Sequence, residues 1–382
     1  PDKKTQMHTQ EERNRLYKVF GYTYEDIQDE ILPMAKNASE PTASMGTDIP
    51  LAVLSNRHPL LFHYFKQLFA QVTNPPIDSL REEIVTDTTV YIGSDGNLLQ
   101  EKSTNCKVLE VNNPILDARD MDKIQNLKKE GFQSATISLL FYRGMPLQEA
   151  LHHLFIECDR LYRDGANILI LSDKGVDESH MAIPSLLAVS ALEHHLVQTK
   201  KRTAVSIILE SGEPRDVHQF ACLLGYGATA IYPYLAHECI EEMIEKDILD
   251  KEPSVAIRDY NEAILHGIVK IAAKMGISTL QSYQSAQIFE AIGISKKVID
   301  QYFTNTVSRV GGIGLKEIEE DLIVHHDHGF DPLGLSCDTK LDSYGFHKLR
   351  SGQGKEDHLY DPKTIVTLQR ATRENDYELF KE

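Results

Sequence analysis

"NILILSD" (167–173) carries an unbroken apolar run from Ile168 to Leu171, and "AVSIILES" (204–211) repeats the pattern at Ile207–Leu209. A strand with one wet face alternates apolar and polar residues. An unbroken run predicts burial on both faces, as in a parallel sheet. Each run is followed by a helical pattern, "PSLLAVSALEHHLVQTKK" after the first and "PRDVHQFACLLGYG" after the second. The same order extends outward. "KVLEV" (107–111) precedes "MDKIQNLKKEG", "SATISLLFY" (134–142) precedes "PLQEALHHLFIECDRLYRDG", and "ATAIYPYL" (228–235) precedes "ECIEEMIEKD". The helix after Pro146 sets Leu147, Ala150, Leu151, Leu154, Phe155, Cys158, Leu161 and Tyr162 on one stripe, and Gly165 stops it. These are five βα units, so the class is α/β with a parallel sheet. A complete eightfold barrel takes ~250 residues, whereas the five units occupy about 140. Periodicity leaves two architectures open, a doubly wound open sheet and an incomplete barrel.

The flanks read differently, dividing the chain into 1–100, 101–255 and 256–382. In the first part, "EERNRLYKVF" (11–20) and "YEDIQDEILPMA" (24–35) predict helices. "HPLLFHYFKQLFAQV" (58–72) predicts a stronger one, with Leu61, Tyr64, Phe65, Leu68 and Phe69 on one face. The apolar run within "SMGTDIPLAVLS" (44–55) predicts a strand. After residue 255 the strand signal disappears. "DYNEAILHGIVKIAAKMG" (259–276), "QSAQIFEAIG" and "KKVIDQYF" predict helices, and "RVGGIGL" (309–315) a glycine turn. The fold expected is a parallel βα core between mostly helical N- and C-terminal segments.

Apolar residues make up 41% of the 382 and charged residues 25%, a globular composition. The formal net charge of −17 repels phosphate backbones over most of the surface, so nucleic acid is not an expected partner. No stretch approaches the ~20 apolar residues that span a bilayer, so no membrane partner is expected. Cys106, Cys158, Cys222, Cys239 and Cys337 are scattered, without CxxC spacing. Neither a disulfide framework nor a structural zinc site is expected, and a cytoplasmic setting fits. Pro1 in place of Met, and an ending in "YELFKE" without a helix cap, lead to the expectation of a piece of a larger polypeptide.

Chemistry in α/β folds gathers where strands end. Here those ends read "SDKGVD" (172–177), "ESGEPRD" (210–216) and "YPYLAHE" (232–238). Asp173, Lys174, Asp177, Glu210, Glu213 and His237 can meet at one mouth and serve acid–base chemistry. They equally suit helix-capping loops facing solvent or another domain. His325, His326 and His328 of "HHDHGF" (325–330) raise the question of a metal, but neighbouring helical positions point different ways, so no metal site is expected. "LGYGATA" (224–230) lacks the offsets of a phosphate loop. Gly225 and Gly227 suit the end of a helix instead.

Longer blocks carry a resemblance. "FGYTYEDI", "SMGTDIPLAVLS", "YFKQLFAQVTNPPIDSLREE", "YIGSDGNLL", "ILILSDKGVD", "IPSLLAVSALEHHL", "ESGEPRDVHQFACLLGYGATAIYPYLA", "KMGISTLQSYQSAQIFEAIG", "YFTNTVSRVGGIGL" and "TLQRATRENDYELFK" resemble, in order and over nearly the whole chain, the large (alpha) subunit of glutamate synthases. The resemblance implies a parent with a glutamine amidotransferase, a central domain, an FMN-binding barrel with a 3Fe–4S cluster, and a β-helix. Ammonia released from glutamine crosses an internal tunnel and condenses with 2-oxoglutarate, and reduced FMN delivers hydride to give glutamate.

This stretch corresponds to the central domain and the helices leading into the FMN barrel. That implies an incomplete barrel, no catalytic residue of its own, and no cofactor within the stretch. The implied partners are the amidotransferase and FMN domains of the same chain, and either a small NADPH-oxidising subunit or ferredoxin as the electron donor, a choice that the sequence of this stretch leaves open. The resemblance places Ser44, Met45, Gly46 and Thr47 at the edge of the flavin and 2-oxoglutarate pocket, where an adaptable Met and a close-approaching Gly would exclude water. A turn without substrate contact is the alternative. Gln71, Thr73, Asn74 and Pro75, within "QVTNPPID" (71–78), would brace the domain interface near the tunnel, or form a structural corner. Set against this module is an autonomous barrel-like enzyme using Asp173, Glu210 and Glu213.

Overall fold

A computed structural model describes residues 8–42, 46–55, 57–69, 74–97, 99–331, 333 and 340–382. Helix α1 (Gln10–Val19) is closed by a capping box between Thr9 and Glu12. A π-helical turn (Asp26–Ile31) runs into α2 (Leu32–Asn37). After a 3₁₀ turn (Leu61–Tyr64) come β1 (Phe65–Gln67), α3 (Glu82–Val85), β2 (Val90–Gly93) and β3 (Val108–Val111). The βα series follows: α4 (Ala118–Gln125), β4 (Ser134–Ser138), β5 (Leu140–Tyr142), α5 (Leu147–Arg163), β6 (Ile168–Ser172) and β7 (His180–Ala182). It continues through α6 (Ser185–Gln198), β8 (Ser206–Glu210), α7 (Val217–Gly225), β9 (Ala230–Tyr232) and α8 (Tyr234–Glu245). The C-terminal part holds α9 (Pro253–Lys274), α10 (Leu280–Tyr283), β10 (Phe289–Ile294), α11 (Lys296–Tyr302), β11 (Val307–Ile313) and α12 (Leu315–Gly329). Helices α13 (Pro362–Glu374) and α14 (Tyr377–Lys381) end the chain.

The class is α/β, and the strand order decides how the sheet is wound. The parallel sheet runs β4–β6–β8–β9, so its strands lie side by side in the order in which they occur in the sequence. Right-handed crossovers taken always in one direction place every connecting helix on the same face, as in a barrel. A doubly wound sheet needs a reversal of direction, and none occurs here. The barrel does not close. Among the described residues, the 114–116 segment meets the last strand through one parallel bridge, Ile115 with Ile231. Helices surround the sheet in a circuit of contacts, α5–α6–α7–α9–α8–α1–α12 and back to α5. The runs read as doubly buried are so: every residue of β6 and β8 is buried.

Several elements differ from the sequence expectation. The 107–111 strand forms, but it pairs antiparallel with β2 and stands outside the parallel sheet, so four strands replace five. The 134–142 run breaks at Leu139, because its second half turns to pair antiparallel with β7. The 51–54 run is a 3₁₀ turn (Ala52–Leu54). Of the 58–72 segment, the described residues 58–69 form no α-helix. Phe65 pairs with Ala291 of β10 and packs in an aromatic knot, 5.3 Å from Tyr226 and 4.8 Å from Phe303. Burying one such ring is worth about 2 kcal/mol, more than any propensity difference of ~0.7 kcal/mol per residue. Segments 289–294 and 307–313, expected as helix and glycine turn, are the parallel strands β10 and β11. A Cβ on Gly312 would stand 2.1 Å from the Gly293 carbonyl oxygen, so two glycines permit this close approach.

Candidate functional site

Two strand ends bring charge together, and the end of a third adds tyrosine rings. Asp173 follows β6, and its carboxylate accepts from Ser211 Oγ at 2.5 Å and from the Gly212 amide at 3.0 Å. Burial pushes its pKa up to about 7 against those hydrogen bonds. Glu210 ends β8, accepts from Ser172 Oγ at 2.7 Å and pairs with Lys174 Nζ at 2.8 Å. The same ammonium stands 5.1 Å from the ring centres of Tyr232 and Tyr234. Glu213 accepts from the Ser185 amide at 2.9 Å and from its hydroxyl, and burial raises its pKa. Asp173, Lys174 and Glu210 therefore share one site, with Glu213 beside it.

His237 and Asp177 do not join them. Burial lowers His237 to about 4, and its ring is held by Asn261 Oδ1 at 2.8 Å. Asp177 caps its own loop, taking the Ser179 amide at 2.8 Å and His180 Nδ1 at 2.9 Å.

The mouth is closed by the chain's own N-terminal segment. Phe20 lies so close over Gly212 that a Cβ there would be 2.7 Å from the Phe20 ring and 2.9 Å from the Tyr234 hydroxyl. Tyr22 donates its hydroxyl to the Gly212 carbonyl at 3.0 Å. Arg215, only 3% exposed, donates to the Phe20 carbonyl at 2.8 Å and the Gly21 carbonyl at 2.6 Å, and pairs with Asp26 at 3.0 Å. Its guanidinium also stacks 4.3 Å from the Tyr22 ring centre. Helix α1 is fastened to α8 by Tyr17 on Glu242 at 2.6 Å and His8 on Glu238 at 3.0 Å. Phe20, Tyr22 and Arg215 were not singled out in the sequence. A signal existed in a lone Arg after Pro in a strand-end loop, but nothing local names its distant partners.

What remains open is small. A cavity of about 40 Å³ beside the plug is lined by Phe20, Leu60, Tyr64, Ile183, Glu213 and His326 among others. A larger hollow, about 550 Å³, is an open groove between α1 and the 175–180 loop. His325 donates to the His58 carbonyl and His326 to the Asp177 carbonyl, each at 2.8 Å. Among the described residues no group of three His, Cys, Asp or Glu is arranged to hold a metal ion, and no helix is long and apolar enough to cross a membrane. Cys158, Cys222 and Cys239 are buried free thiols and Cys106 an exposed one. Cys337 lies outside the described residues.

The two loops singled out for an interdomain role are partly in view. Ser44, Met45, Gln71 and Thr73 lie outside the described residues. Gly46 has φ +67° with open space around it, and exposed Thr47 reaches the Phe346 carbonyl at 3.5 Å. Asn74 and Pro75 pack against the end of α9, where a Cβ on Gly276 would lie 2.6 Å from the Pro75 carbonyl. The Ile77 amide then bonds the Ala273 carbonyl at 2.8 Å. No hydrogen bond or ion pair among the described residues joins either loop to Asp173, Glu210 or Glu213.

A family model described as "Glutamate synthase central domain" matches residues 15–295. The glutamate synthase [NADPH] large chain of Bacillus subtilis is 45% identical over 366 residues, covering 96% of this chain and 24% of that one. The glutamate synthase [NADH] of Schizosaccharomyces pombe is 38% identical, with 93% and 17% covered. The ferredoxin-dependent glutamate synthase 2 of Synechocystis is 38% identical, with 92% and 23% covered. The chain thus spans about a quarter or less of the length of these relatives.

Proposed function

The chain belongs to the glutamate synthase central domain family, and from that membership we propose that it is a non-catalytic module of a glutamate synthase polypeptide. In this reading it links a glutamine amidotransferase to an FMN and 2-oxoglutarate site, and helps to form the ammonia tunnel and the wall of the flavin pocket. The parent reaction is reductive transfer of the glutamine amide nitrogen to 2-oxoglutarate, giving glutamate. FMN, held by a neighbouring domain, supplies the hydride. The 44–47 and 71–75 loops serve as pocket edge and interface brace, the 1–100, 101–255 and 256–382 parts act together, and the location is the cytoplasm.

One observation carries this reading. The position where a barrel enzyme keeps its chemistry is occupied by Phe20, Tyr22 and Arg215. The carboxylates beneath are engaged with Ser211, Ser172 and Ser185. Relatives named for NADPH, NADH and ferredoxin are similar at comparable identity, which supports placing the choice of electron donor outside this stretch.

A direct test is to purify residues 1–382 alone. The expected preparation is folded, colourless and without glutamate synthase activity. A yellow preparation that retains FMN and turns over would overturn the reading. The autonomous-enzyme alternative has one observation in its favour, the Asp173 carboxyl near neutrality. It requires that Asp173→Asn abolish a turnover measured in the 1–382 piece.

A further inference from the structure

We propose that His358 is a proton-operated latch. Doubly protonated, it pins the Asp48 end of the 46–55 loop to the 341–360 segment, and loss of one proton lets the two separate.

The geometry fixes the charge of the ring. His358 Nδ1 stands 2.7 Å from a carboxylate oxygen of Asp48, and Nε2 stands 2.6 Å from the Gly345 carbonyl oxygen. A carbonyl only accepts, and so does an ionised carboxylate, so both ring nitrogens carry hydrogen. Asp48 does not supply it. The Tyr360 amide at 2.9 Å, with His358 beside it, holds the Asp48 carboxyl below the usual carboxylate range. A neutral ring keeps one N–H and leaves either Asp48 or the Gly345 carbonyl facing a lone pair. The imidazole is only 6% exposed, so water does not simply replace the lost bond.

The latch joins the loop to the residues that lead into α13. The Leu359 amide reaches the Asp48 carbonyl at 3.3 Å, and the Thr47 hydroxyl reaches the Phe346 carbonyl at 3.5 Å. Both contacts are long, and the short charge-assisted bonds of His358 are the stronger link. At the other end, Ser55 donates to Glu356 at 2.8 Å and Arg57 to the Lys355 carbonyl at 3.1 Å. Release is therefore expected at Asp48 and not along the whole loop.

Other charged groups surround the 341–360 segment. Glu25 accepts from the Ser343 hydroxyl and from the Gly345 amide at 3.2 Å, with Arg350 3.9 Å away. Lys355 donates to the Ser343 carbonyl, and Asp357 is exposed beside His358. Lys348 pairs with Asp29 at 3.3 Å and His347 with Glu30 at 3.2 Å. His58, just past the loop, pairs with Asp321 at 2.7 Å. Burial pushes Glu30 up to about 8, within the range of interest. Its titration and that of His58 are to be separated from that of His358.

The test is amide hydrogen exchange on the full-length polypeptide carrying this segment, read as protection factors corrected for the intrinsic rate at each pH. The amides of Leu359 and Tyr360, both bonded to Asp48, report the latch. The closed form holds the extra proton, so protection falls as pH rises. A drop of about tenfold is expected from pH 6 to pH 8.5, across the range where histidine changes charge. His358→Gln and Asp48→Asn are each expected to give low protection at both pH values. Glu30→Gln and His58→Gln are expected to keep the wild-type slope, and amides of β8 to stay protected in every variant. Equal wild-type protection at the two pH values overturns the proposal. So does a slope that survives in His358→Gln, or one that disappears in Glu30→Gln or His58→Gln. The readout needs no turnover, so glutamate synthase activity of the same preparation bears on the functional reading alone.

Discussion

Arg215 shows what one buried charge can organise. It holds two carbonyls and a carboxylate of a segment nearly two hundred residues away in sequence. Removing it strands those acceptors in the interior, which costs roughly 3 kcal/mol or more. Arg215→Met is expected to lower the denaturation midpoint accordingly and to speed amide exchange at 20–26. A loss below about 1 kcal/mol would show that the plug does not depend on this residue. Asp173 makes a prediction of known sign. Its carboxyl is raised from 3.8 to about 7, so the folded protein keeps a proton that the unfolded chain has lost. Its contribution is fully present below the ordinary value and fades as pH rises through 7, by up to about 1.4 kcal/mol per pH unit. Asp173→Asn should flatten that slope, as read from urea midpoints between pH 5 and 7.5, and an unchanged slope would refute the assignment. His237, lowered to about 4, acts with the opposite sign: its contribution fades as pH falls below 6.5.

Among elements, α9 illustrates packing outweighing propensity. Gly267 sits inside this helix, where alanine would ordinarily gain about 1 kcal/mol. A Cβ there would stand 2.5 Å from Val217 of α7. Overpacking of this kind costs about 1–3 kcal/mol, so Gly267→Ala is expected to destabilise, and the double variant with Val217→Ala to recover most of the loss. A stabilised single variant would mean that α7 and α9 can separate freely. The legible elements were those whose burial follows from their own pattern. Doubly buried β6 and β8, and the one-sided stripe of α5, needed no distant information. Strands β1, β10 and β11 were misread for the reverse reason. Phe65 and Phe289 are apolar in either conformation, and what makes their segments strands is pairing with chain some 220 residues away.

At the scale of the molecule, one core of buried residues extends from Leu16 to Ile318. It draws on all three parts read from the sequence. The plug, the βα sheet and α12 therefore belong to one packed body. A folded, colourless and inactive piece is the outcome expected at this scale.

The sequence by itself determined the α/β class, the parallel strands and helices of the core, and the family. Burial on two faces, stripes on helices and long ordered blocks are all local records of their environment. The meeting of Asp173 with Glu210 and Lys174 was half legible, since strand ends in a parallel sheet share an edge. Tertiary structure alone decided that the sheet winds in one direction without closing and that β3 stands apart from it. It also decided that the mouth is filled by Phe20, Tyr22 and Arg215. Each of these depends on contacts between residues far apart in the chain, whose side chains look the same in sequence whether they meet solvent, a ligand or one another.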